Sequence, residues 1–131
     1  MNDITTKHID AKIKQKEKAV KSMCSPYNGH CYEVALALTK VFTEEVEGYW
    51  SVYTKPEFVH SDKALPSHIT VQINGDIFDA GGTMTQSHLL EEFAPTLNED
   101  VLQYQTEFKY NHITSNEITS RLIEIYRKAF E

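Results

Sequence analysis

His68-Ile69-Thr70-Val71-Gln72-Ile73, then Asn74-Gly75, then Asp76-Ile77-Phe78-Asp79 is the stretch that decides the fold. Asn-Gly between two alternating runs predicts a hairpin closed by a two-residue type I′ turn. In that register Ile73 faces Asp76, Gln72 faces Ile77, Val71 faces Phe78 and Thr70 faces Asp79. Opposed residues share a face, as do residues two apart on a strand, so His68 and Asp79 become diagonal neighbours on one face. Such neighbours lie about 7 to 8 Å apart at Cα, within reach of side chains. A three-residue loop with a bulge would change this pairing.

Upstream, Asn28-Gly29-His30-Cys31-Tyr32-Glu33-Val34-Ala35-Leu36-Ala37-Leu38 places a cysteine where a helix begins. Asn28 is a good N-cap, Gly29 allows a tight turn, and Cys31, Val34, Ala35, Leu38, Val41 and Phe42 follow a one-sided helical spacing. In a first turn, unpaired N–H groups and the helix dipole favour a thiolate. Cys31 is also readable as a small buried hydrophobe, since free cysteine is among the most buried residue types.

The elements on either side follow from the same rules. Residues 4–23 read as a basic leader helix with a narrow stripe of Ile4, Ala11, Ile13, Ala19, Val20 and Met23. Ser25-Pro26-Tyr27-Asn28-Gly29 is a turn, and the Cys31 helix is expected to run to about Glu45 with Gly48 closing it. Residues 49–54 are aromatic and β-branched, hence a strand, and residues 55–67, with Pro56 and Pro66, read as a surface loop. After Asp79, Ala80-Gly81-Gly82-Thr83 turns the chain, residues 87–93 form a short capped helix and Pro95 ends it. Residues 101–110 alternate as a half-buried strand, with Leu102, Tyr104, Thr106, Phe108 and Tyr110 set against Gln103, Gln105, Glu107 and Lys109. Thr114-Ser115-Asn116-Glu117 is a capping box opening a helix on Ile118, Leu122, Ile125, Tyr126 and Ala129.

The expected architecture is one α+β domain over residues 1–131. An antiparallel sheet of about four strands is flanked by the Cys31 helix and the terminal helices. Its parts are the leader at 1–23, a core at 25–93, and a strand with a final helix at 100–131. A length of 131 residues suffices for a core without metal or disulfide staples. No apolar run reaches the roughly 18 to 20 residues needed to span a bilayer. The start, Met1-Asn2-Asp3-Ile4, carries no secretory pattern, so Cys24 and Cys31 are expected reduced in a cytoplasmic setting. The net charge is −6, yet residues 1–23 hold six lysines against three acids, leaving seven bases against sixteen acids elsewhere. An acidic body argues against nucleic acid as the main partner.

A helix-starting cysteine with a histidine and an aspartate on one hairpin face supplies nucleophile, base and orienting acid. Cys31 would attack an acyl carbon, His68 would take the thiol proton, and Asp79 would fix the histidine tautomer. The N–H of Cys31 is a natural oxyanion donor and Asn28 a candidate second one. His30, Trp50, Tyr53 and His60 are candidates for lining a substrate groove, or a protein interface. Cys31, His60, His68 and His88 could alternatively ligate a metal, but no close ligand pair nucleates such a site, and no metal is assigned.

Gly29-His30-Cys31-Tyr32-x-x-Ala35-x-x-Leu38, His68-x-x-Val71 and Ile77-Phe78-Asp79 resemble the core of the papain-like thiol enzymes, in chain order their transglutaminase-like branch. Small phage- or plasmid-encoded proteins show a similar layout. The resemblance spans roughly residues 25–93. It implies a cysteine helix packed on an antiparallel sheet, with Cys31 similar to the family nucleophile, Tyr32 to the aromatic that follows it, His68 to the base and Asp79 to the orienting acid. The glutamine that supplies an oxyanion donor in papains has no counterpart, Ser25 standing at that spacing. The expected activity is thiol-dependent hydrolysis, deamidation or acyl transfer on a protein or peptide-like amide or ester, without a cofactor. The rival is a non-catalytic interaction or inhibitor protein on the same scaffold, phage-encoded in one version. Substrate and oligomeric state are left open. The feature that separates the two is whether Cys31, His68 and Asp79 converge in an open cleft.

Overall fold

The structure, a computed structural model, describes residues 5–61 and 63–131. Ile4, expected in the first helix, lies outside the described residues. Among the described residues, four α-helices lie with a five-stranded antiparallel sheet whose strands, numbered in chain order, run β4-β3-β2-β1-β5. The strands are β1 (Val46–Val52), β2 (His68–Ile73), β3 (Asp76–Asp79), β4 (Gly82–Met84) and β5 (Leu102–Gln105). The helices are α1 (Thr6–Met23), α2 (Cys31–Val41), α3 (Gln86–Phe93) and α4 (Asn116–Ala129). This is the expected α+β class with one strand more than anticipated. No helix is long and apolar enough to cross a membrane among the described residues.

The central hairpin forms as the Asn-Gly signal dictates. Asn74 at φ 52° and Gly75 at φ 86° are both left-handed, the type I′ signature, and Val71 faces Phe78, Gln72 faces Ile77 and Ile73 faces Asp76. Ile69, Val71, Ile73 and Phe78 then face α2, which buries Val34, Ala35, Ala37 and Leu38 against them. Behind α2 lies α4, with Leu122 and Tyr126 fully buried, and α1 packs against α4 and β4. The opposite sheet face carries a second cluster: Val52, Tyr53, Val59, Leu89 of α3, Ala94 and Val101.

Several boundaries differ from the sequence expectation. The buried stripe of α1 is Ile9, Ile13 and Val20, whereas Ala11 and Ala19 are exposed, because a 100° helical step aligns the first three and turns the alanines outward. Phe42 caps α2, so that helix stops short of Glu45. Gly48 does not close a helix; it lies inside β1 at a bulge, where a Cβ would collide with Tyr104 and the Gln105 carbonyl. The last β1–β5 pair is Tyr49 with Gln105, so β5 is four residues long and residues 106–110 have no ladder to join. Phe108 and Tyr110 still turn inward, onto Tyr49 and Tyr32, but Tyr104 is exposed beside Trp50.

The unanticipated strand is β4. Ala80-Gly81 makes a tight turn and Gly82, at φ 102°, folds the chain back onto β3. A clasp from α1 holds this edge: Asp10 accepts the Thr83 N–H at 2.7 Å and pairs with Lys14 at 3.0 Å. Partial burial would raise the Asp10 pKa, but these bonds outweigh it and hold the carboxyl below its usual value. In α4 the N-cap is Ser115, one residue past the start of the expected box, and its side chain accepts from the Ile118 N–H. The buried Glu33 carboxylate of α2 accepts the Ser115 N–H at 2.8 Å, tying the two helices.

Candidate active site

His68 opens β2 and Asp79 ends β3, so the hairpin register alone brings them together. His68 donates Nε2–H to Asp79 Oδ2 at 3.1 Å, both side chains being buried. The other carboxylate oxygen, Oδ1, accepts the Gly81 N–H at 2.8 Å, which holds the acid in place from the following turn. A carboxylate only accepts, so in this pair the proton is on Nε2. The Nδ1 atom of His68 is buried and has no hydrogen-bond partner among the described residues.

Cys31 is the first residue of α2, preceded by Gly29 at φ 109°. Its sulfur meets the N–H groups of Ile69, of Cys31 itself and of Tyr32. Ile69 lies two residues before Val71, the first β2 residue paired with β3, so its N–H is free of that ladder. The thiol therefore sits where β3 departs, against the residue that follows His68 in the chain. No hydrogen bond joins Cys31 to His68 among the described residues. Burial pushes the Cys31 pKa up from its ordinary 9.0 to about 11; the three N–H groups pull it down and Glu33 adds to the rise. The resting sulfur is thus a neutral thiol, the reverse of the expectation from helix position alone, because desolvation outweighs the helix terminus.

The site is closed. The Phe93 ring of α3 stacks on the His68 ring at 3.8 Å between centroids and 9° between planes, and Tyr27 covers it from 6.4 Å. Exposure is 2% at Cys31 and 0% at His68. Tyr27 donates its hydroxyl proton to Glu17 of α1; burial first, then this bond and the Asp79 charge, raise its pKa far above the usual value. Neither Phe93 nor Tyr27 stood out in the sequence. Only the return of α3 to the sheet places Phe93 here, and the turn before Cys31 places Tyr27.

No family model, curated protein or solved structure matches this chain.

The remaining sequence candidates disperse. Asn28 is exposed in the turn, and the N-cap position of α2 belongs to His30. The His30 ring folds back instead, its Nδ1 accepting the Ser25 N–H at 2.8 Å, so it shapes the turn before Cys31. Trp50 donates Nε1–H to Gln72 on the sheet at 2.8 Å. Tyr53 and His60 line a separate pocket of about 590 Å³, together with Gln103 and Lys109. His88 pairs with Glu92 at 2.8 Å, away from His60, and no group of three or more His, Cys, Asp or Glu side chains is arranged to hold a metal among the described residues.

Proposed function

We propose that this chain performs thiol-dependent acyl chemistry on an amide or ester, through a thioester on Cys31. The observation that carries the reading is the setting of His68: Asp79 accepts from Nε2, and the buried Nδ1 has no hydrogen-bond partner among the described residues, beside the strand position that the Cys31 sulfur contacts. In the proposed step the thiol proton passes to Nδ1 as the S–C bond forms. The N–H groups of Cys31 and Tyr32, which meet the resting sulfur, then serve as oxyanion donors. Collapse breaks the bond to the leaving amine or alcohol, which takes the proton from Nδ1. Water or a second nucleophile releases the acyl group. The likeness to the papain-like core supports the same roles.

A generic acyl donor tests this without a known substrate. Para-nitrophenyl acetate should release a burst of nitrophenol and leave one acetyl group on Cys31 by peptide mass mapping. His68→Gln should slow the burst about a hundredfold, the usual contribution of a positioned base. Equal acetylation in both proteins, or acetylation at Cys24 alone, would refute the assignment. The closure of Cys31 and His68 favours the second reading, a non-catalytic interaction protein on this scaffold, and that result would select it.

A further inference from the structure

The two edges of the sheet end differently. At β4 the outward N–H of Thr83 is taken by Asp10 of α1 at 2.7 Å, so a side chain closes that edge. β5 stands at the other end of the strand order and has β1 as its ladder partner on one side. Its residues, Leu102-Gln103-Tyr104-Gln105, hold no proline and no charge, the usual means of blunting an exposed edge.

The phase of the ladder decides which groups are left over. Tyr53 donates its N–H to the Val101 carbonyl at 2.9 Å, and Ser51 faces Gln103 and Tyr49 faces Gln105, so Gln103 and Gln105 turn their main-chain groups to β1. Leu102 and Tyr104 turn theirs outward. The Leu102 N–H is spent on the Glu99 carbonyl, but the Leu102 carbonyl and both main-chain groups of Tyr104 have no partner among the described residues. A rigid aromatic surface lies beside them. The Trp50 and Tyr104 rings pack at 5.2 Å, with Trp50 Nε1–H donated to Gln72 at 2.8 Å and the Tyr104 hydroxyl to the Glu47 carbonyl at 2.9 Å. Although its polar tip is engaged, Tyr104 is 40% exposed. A recess of about 340 Å³ adjoins this edge, lined among the described residues by 103–107 and 109 alone.

We infer that β5 takes an extended segment of another polypeptide as a sixth strand. One residue of an antiparallel segment hydrogen-bonds both main-chain groups of Tyr104, and its apolar side chain lies against the Trp50–Tyr104 rings, because opposed residues share a face. The length of the edge argues for a segment rather than a second copy of this chain. Four residues span about 13 Å, too little for the roughly 1,200 Å² of a stable interface between whole domains. Val52 pairs with His68 of β2 on one side and Leu102 of β5 on the other, so the docked segment lies level with the candidate site. The inference goes beyond the thiol chemistry and does not depend on it: a chain with an inert Cys31 keeps the edge.

The test follows amide shifts and hydrogen exchange in the ¹⁵N-labelled protein. In the free chain the Tyr104 N–H should exchange about tenfold or more faster than those of Gln103 and Gln105. Acetyl-threonyl-valyl-threonyl-valyl-threonine amide should give saturable shifts at residues 102–106 and slow the Tyr104 exchange. The same peptide N-methylated on its central residues should do neither. Tyr104→Pro removes the outward N–H and no bond to β1, so it should weaken binding about tenfold, whereas Tyr104→Val, which keeps the N–H, should stay within about threefold of wild type. If Tyr104→Pro fails to fold, the exchange and N-methylation measurements on the wild-type chain decide alone. A Tyr104 N–H as protected in the free chain as that of Gln103, no shift with the peptide, or equal binding by the methylated peptide or by Tyr104→Pro overturns the inference. So does a concentration-dependent shift of residues 102–106 without peptide, which would assign the edge to a second copy.

Discussion

At Cys31 two effects of opposite sign act on one sulfur. A helix terminus contributes about 0.3 to 1 kcal/mol at exposed sites, less than the 1.36 kcal/mol of one pKa unit. Burial at 2% exposure pushes the thiol up to about 11, so desolvation dominates. The folded pKa is raised above the unfolded one, so as pH rises the unfolded chain loses its thiol proton first. The stabilisation is full below about pH 9 and is lost as pH climbs through about 11. Urea unfolding of wild type and Cys31→Ser at pH 8 and pH 10.5 checks this: the wild-type advantage should shrink by on the order of 2 kcal/mol between the two. Groups common to both proteins cancel in that difference. The pairing of His68 with Asp79 was legible from residue type and spacing, but the direction of the Cys31 thiol shift was not. It depends on how much chain covers the sulfur, and helix position carries no information about that.

Elements were legible where a local rule agreed with the tertiary packing. The hairpin of β2 and β3 is the plainest case, since Asn74 and Gly75 adopt left-handed angles that few other residues accept. Gly75 has nothing within 4 Å of a Cβ built on it, so Gly75→Ala meets backbone strain alone. It should cost about 1 to 2 kcal/mol in urea unfolding. The His68 tautomer, read from ¹⁵N shifts, should stay protonated on Nε2, because the register is held also by β1 and β4. The edges escaped notice for the opposite reason. β4 is three residues with no apolar alternation, held by Asp10 some seventy residues away in sequence. In β5 the alternation runs on past Gln105, but its partner bulges at Gly48, so pattern outlasts pairing. The inward turn of Phe108 and Tyr110 without a strand shows that the same alternation serves packing alone.

Across the whole molecule, the two sheet faces meet at the candidate site. His68 and Asp79 lie on the face that α3 covers, α2 packs on the other, and the Cys31 sulfur reaches the end of the sheet between them. The cover is one short helix whose buried anchor is Leu89, with Phe93 as its contact with His68. Under the proposed chemistry a substrate would reach His68 only when that cover moves, and local openings of this kind are drawn from the least-packed parts of a fold. Displacing Phe93 would uncover the His68 ring, and under the proposed chemistry Nδ1 would then accept the thiol proton. The most direct measurement is the pH dependence of iodoacetamide alkylation at Cys31 in wild type, His68→Gln and Phe93→Ala, with Cys24 as the internal reference. The account predicts alkylation of Cys31 well below pH 8, lost in His68→Gln and accelerated in Phe93→Ala. Alkylation of Cys31 that tracks Cys24 in all three proteins, or a Cys31 inert in all three, would contradict it and leave the thiol a structural residue.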